Sequence, residues 1–81
     1  MKKSIAILFL CLLTSLPLRA DFNDAVVAYL MGQYSKAYST MRSLAETSNH
    51  AYAQYYVGMM HLNGQGVEQD YQEAEHWFRK A

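Results

Sequence analysis

The residues able to do chemistry are few, and their spacing argues against most of the chemistry they could do. His50, His61 and His76 fall in no H-x-x-x-H or H-E-x-x-H arrangement, so two imidazoles on one helical face cannot share a zinc ion. Glu68, Asp70, Glu73 and Glu75 form an acidic cluster that could supply an acid–base pair, as in glycoside hydrolysis. That chemistry needs a cleft, and the simpler reading of the cluster is a solvated face with a helix cap. Ser35, Ser39, Ser43 and Ser48 lie in no G-x-S-x-G context. The segment Gly64-Gln65-Gly66 raises a last possibility, a phosphate-gripping loop. Such a loop wants three glycines in G-x-G-x-x-G between a strand and a helix, but Gln69 stands in the third place. The residues before Gly64 read as helix, and Asp70 would repel a phosphate. No catalytic residue, metal or cofactor is assigned.

The glycines and Asp70 fit the turn of a helical hairpin instead. Gly64 and Gly66 can take positive φ, ending one helix and reversing the chain. Val67 gives the turn an apolar plug. Asp70 can cap the next helix, with Glu73 reaching back to close a capping box. Four helical segments are expected: about Asn23–Met31, Tyr34–Glu46, His50–Leu62, and a fourth from Tyr71. Asp21 or Asn23 can cap the first, Gly32 breaks it, and Thr47 to His50 form a polar break. In the second, Tyr34, Ala37, Tyr38, Met41, Leu44 and Ala45 recur at three and four residues. In the fourth, Ala74, Trp77, Phe78 and Ala81 are expected along one face. Gly58 and Ala74 are small, which should let the third and fourth helices approach closely. Tyr34-x-x-Ala37 recurs as Tyr71-x-x-Ala74, about 37 residues on, a spacing typical of helical repeat solenoids. The fold expected is all-α, a solenoid of about two helical hairpins.

Residues 1–20 read as a secretory signal peptide: Lys2 and Lys3, an apolar run from Ile5 to Leu13, then an exit segment ending at Ala20. Cleavage after Ala20 is expected, with a retained anchor as the alternative. The run is too short for a comfortable membrane span, which takes about 20 apolar residues. Cys11 is the only cysteine. It follows Leu10 inside the apolar run, which does not suit lipidation. The exported part then holds no thiol and no disulfide. About 60 residues remain, enough for one small domain that buries roughly 60% of its unfolded surface. Lys36, Arg42, Arg79 and Lys80 form no sizeable basic block, which argues against nucleic acid as a partner.

Ala51 to Ala81 resembles a Sel1-like repeat, a relative of the tetratricopeptide repeat. The residues that carry the resemblance are Ala53, Val57-Gly58, Gly64-Gln65-Gly66-Val67, Asp70, Ala74, Trp77-Phe78 and Ala81. His61 stands where a tyrosine is common, and Phe78 replaces the usual tyrosine. Residues 21–49 look like a looser helix pair of tetratricopeptide type. The resemblance implies an interaction scaffold rather than an enzyme, and a periplasmic or secreted adaptor or regulator that binds another protein. The candidate binding residues are Tyr52, Tyr56 and Met59, which share one face of the third helix with Asn63. Ala53, Val57 and Met60 share another. A second reading of the same pattern puts the third helix between the second and fourth, with both faces in the core. Two alternatives stand beside the adaptor. One is a fragment of a longer repeat array, because Trp77, Phe78 and Ala81 would lack a cover on their outer side. The other is small-ligand binding or hydrolase activity.

Overall fold

Each helix boundary has a local cause in the side chains that flank it. The computed structural model describes residues 21–81, so the expected leader, its cut after Ala20 and Cys11 lie outside the described residues. Four helices follow one another: α1 Phe22–Leu30, α2 Tyr34–Thr47, α3 Ala51–Asn63 and α4 Tyr71–Lys80. Among the described residues there is no strand. Asp21 is the N-cap of α1. Its carboxylate accepts from the Asp24 amide at 2.9 Å, and Asp24 accepts from the Asp21 amide at 3.2 Å. Two orphan amides are thereby satisfied reciprocally, with acid at the positive helix end. The capping box is therefore at α1, where Asp24 plays the part usually given to Glu.

At α4 the expected box is only half made. Asp70 accepts from the amides of Gln72 and Glu73, at 3.0 and 3.1 Å. Glu73 does not return the bond, because the Asp70 amide donates instead to the His61 carbonyl at 2.9 Å. The start of α4 is thus tied to the end of α3 by main chain.

Consecutive helices pack side by side, α1 on α2, α2 on α3 and α3 on α4. Ala25, Met41, Ala45, Ala53, Val57 and Trp77 form one buried cluster. Ala28, Ala37 and Met60 form a second, closed by Tyr29, Tyr34, Tyr38 and Val67. The apolar stripe expected on α2 is the inward one: Ala37, Met41 and Ala45 are buried and Tyr34, Tyr38 and Leu44 half-buried. Val67 is half-buried against the second cluster, as a plug in the turn should be.

One expectation about α4 is corrected. Trp77 is only 3% exposed and belongs to the first cluster, so it needs no outer cover. The Ala81 amide continues the helical pattern, donating to the Trp77 carbonyl at 3.0 Å. The inward face of α4 is Ala74 and Trp77, with Phe78 half-buried beside them.

The close approach of α3 and α4 has a specific form. A Cβ on Gly58 would lie 2.6 Å from a ring carbon of Phe78 and 3.2 Å from the Ala74 carbonyl oxygen. The Phe78 ring thus occupies a notch that only glycine leaves open. Gly66 is tighter still. It has φ +74°, and a Cβ there would lie 2.4 Å from the Tyr34 carbonyl oxygen. The turn between α3 and α4 therefore lies directly on the first turn of α2.

Gly32 has φ +80° but open space around it. Gly32→Ala should cost only the left-handed penalty, about 1–2 kcal/mol. Gly66→Ala should cost that and a further ~1–3 kcal/mol for displaced backbone. Urea denaturation of the two variants measures the difference, and equal losses would contradict this account of Gly66.

Candidate partner-binding surface

The three candidate residues of α3 do not form one uniform surface. Tyr52 is 71% exposed, whereas Tyr56 and Met59 are half-buried. Tyr56 packs its ring edge-on against Phe22 at 5.8 Å and Tyr29 at 5.5 Å between centroids. Both partners belong to α1, so Tyr56 cements α1 to α3 and offers only part of its ring to a ligand. Edge-to-face pairs of this kind contribute about 0.5–1.5 kcal/mol beyond the area they bury. Asn63, on the same side, is exposed. Ala53, Val57, Gly58 and Met60 are buried, as the other face requires. α3 is indeed flanked by α2 and α4, yet Tyr52 remains open.

An aromatic row continues from Tyr56. His50 stacks on Phe22 at 4.6 Å with planes 24° apart, and Tyr52 lies 6.2 Å from each. His50 also serves as N-cap of α3, where its Nδ1 accepts from the Ala53 amide at 3.1 Å. Imidazole at that position is engaged twice, in a cap and in a stack. His76 is exposed on α4 against the edge of Trp77. Among the described residues, no three His, Asp or Glu side chains gather to hold a metal ion.

His61 is buried and hydrogen-bonded on the last turn of α3. Its Nε2 lies 3.0 Å from the Tyr38 hydroxyl. Arg42 donates to that same hydroxyl at 2.8 Å and to Glu46 at 2.6 Å. A guanidinium can only donate, so the Tyr38 hydroxyl accepts from Arg42. His61 Nδ1 is buried without a partner among the described residues. The bonds to Glu46 and then Tyr38 raise the Arg42 pKa above its already high value, against a small opposing effect of burial. The relay Glu46–Arg42–Tyr38–His61 joins α2 to α3.

Three features escaped the sequence reading. Gln54 lies on α3 next to the core residue Ala53, is buried, and donates to the Ala45 carbonyl at 3.2 Å and to Asn49 at 2.8 Å. A glutamine among alanines and tyrosines gives no signal of burial. Tyr55 is exposed and its ring lies 5.6 Å from Phe78. Tyr29 of α1 reaches the turn, donating to Gln65 at 2.9 Å. Such long-range pairs depend on the angle between hairpins, which periodicity does not specify.

Residues 51–81 match the family model described as Sel1 repeat. No curated protein and no solved structure was found to match the chain. The matched residues are those that form α3, the Gly64–Asp70 turn and α4, so the repeat and the second hairpin coincide. A Sel1 repeat suggests a protein–protein interaction module, and proteins built from it are typically not enzymes.

The tyrosines should separate on substitution. Tyr56→Ala should destabilise the fold by roughly 2–4 kcal/mol through loss of the α1–α3 contact. Tyr52→Ala should stay within about 0.5 kcal/mol. Tyr38→Phe, which leaves the buried His61 without its hydrogen-bond partner, should cost roughly 1–3 kcal/mol. Thermal or urea unfolding followed by circular dichroism reads all three, and a Tyr52 loss matching that of Tyr56 would refute the division.

Proposed function

We propose that this chain, whose residues 51–81 form a Sel1 repeat, is an exported adaptor or regulator that binds another protein in the bacterial envelope. The observation that carries the reading is Tyr52. It is a large aromatic side chain, 71% exposed, at the rim of a row of packed rings from α1 and α3. Aromatic residues held rigid by their neighbours and left open to solvent suit an anchor, because little side-chain entropy is lost on binding. The half-buried rings of Tyr56 and Phe22 and the half-buried Met59 would form the floor around that anchor. Methionine adapts to the shape of a partner at such a place.

Export rests on the composition of residues 1–20, a charged start, an apolar run and Ala20. No helix among the described residues is long and apolar enough to cross a membrane. The absence of cysteine from residues 21–81 suits an oxidising compartment, where a free thiol would mispair.

The test is a photo-crosslinking residue placed at position 52 and, as control, at the exposed position 36 on α2. In cells exporting the chain, position 52 should give a discrete adduct with one protein, found in the envelope fraction, and position 36 should not. An adduct from neither position, or the same adducts from both, would overturn the reading. Retention of the uncut chain in the cytoplasm would overturn the location.

A further inference from the structure

The end of α3 brings together the two groups of a reaction that the chain can perform on itself. Asn63 is the last residue of α3, and Gly64 follows it as the left-handed C-cap, with φ +66°. Both are exposed. The helix end selects glycine because glycine takes that conformation without a steric cost. The same missing Cβ leaves the Gly64 amide nitrogen unshielded towards the side chain before it. Only Cβ, Cα and the main-chain carbonyl carbon separate Asn63 Cγ from that nitrogen, so a bond between them closes an unstrained five-membered ring.

The chain has two other asparagines, and they are placed differently. Asn23 precedes Asp24 and Asn49 precedes His50, so each following amide carries a side chain. The Asp24 amide is bonded to Asp21 inside the capping box of α1. Asn49 is held through its Oδ1, which accepts from the buried Gln54 at 2.8 Å. The Gly64 amide donates to the Met60 carbonyl, a bond in the last turn of α3, and helix ends are where such bonds open most easily.

We propose that Asn63–Gly64 is a self-modification site, at which the chain converts Asn63 to aspartate and isoaspartate. Released from Met60, the Gly64 nitrogen gives its proton to solvent and attacks Asn63 Cγ. The N–Cγ bond forms, the Cγ–Nδ2 bond breaks, and the side-chain nitrogen takes a proton back and leaves as ammonia. Water then opens the cyclic imide at either carbonyl. Opening at Cγ gives aspartate. Opening at the main-chain carbonyl gives isoaspartate, whose backbone runs through Cβ and Cγ. Nothing is oxidised or reduced, and water is the co-reactant. Both products weaken the joint between the hairpins. A carboxylate at position 63 faces the negative end of α3, in a turn that already holds Glu68 and Asp70. The isoaspartyl form also adds a carbon to the main chain just before Gly64. The Gly64 and Gln65 amides, both bonded to the Met60 carbonyl, are then drawn out of place, and with them the contact of Gly66 on Tyr34. The site does not depend on the adaptor reading.

The test is peptide mapping by mass spectrometry after the full chain is held in warm, mildly alkaline buffer. Asn63 should gain the mass of an amide-to-acid change at least about tenfold faster than Asn23 or Asn49, and as two products, aspartyl and isoaspartyl. Asn63→Gln, which would need a larger ring, should show no such change and keep the fold. Gly64→Ala, whose added carbon would meet Gln69 at an ordinary 3.5 Å, should slow the conversion at least about tenfold. Asn63→Asp, one product made directly, should melt a few degrees below wild type by circular dichroism. Conversion at Asn63 no faster than at Asn23 or Asn49, or equally fast in Gly64→Ala, would overturn the site. An Asn63→Asp chain as stable as wild type would overturn its effect on the joint.

Discussion

The backbone contact between Gly66 and the first turn of α2 is the constraint on which the other features rest. A turn joining two helices need only reverse the chain, and most turns do so over open solvent. This one lies on Tyr34, close enough that a single methyl group would collide with its carbonyl. The contact ties the second hairpin to the first. Three further bonds converge on the same stretch: Gln65 to the Met60 carbonyl, Tyr29 to Gln65, and the Asp70 amide to the His61 carbonyl. With the turn so fixed, Val67 closes the smaller core cluster and α4 returns at the angle that buries Trp77.

The core that results is lean. Its buried side chains are mostly alanine, with Met41, Met60, Val57 and Trp77 supplying the bulk. Small residues bring helix axes together and leave less apolar area to bury, so each large side chain carries a greater share of the stabilisation. Buried polar groups then matter in proportion. Gln54 is satisfied by a carbonyl and a side-chain amide, and His61 is satisfied on one nitrogen only. Trp77 Nε1 is likewise buried without a partner among the described residues. Rigid aromatic contacts between α1 and α3 add what the alanine-rich seams lack.

The architecture was legible in the sequence because it follows from local rules. Gly32, Gly64 and Gly66 announce chain reversals, Asp21 and Asp70 announce helix starts, and spacing at three and four residues marks the inward faces. The helices end within a residue or so of where these signals place them. What local rules could not give was the competition for single groups. Glu73 was the natural partner of the Asp70 amide by spacing, but the His61 carbonyl lies nearer once α3 and α4 pack. The candidate surface was legible only as a set of aromatic residues on α3. Its division into Tyr56, which holds α1, and Tyr52, which stays open, depends on where Phe22 and Tyr29 fall in space.

The notch at Gly58 has a consequence at a larger scale. The Phe78 ring set into it acts as a spacer between the two helix axes of the hairpin. In a superhelix built by repeated stacking, a small change in that spacing is multiplied at every step. Enlarging position 58 by one carbon would therefore act less on the single hairpin than on the curvature of any array containing it, and so on which partner outlines the inner surface could embrace.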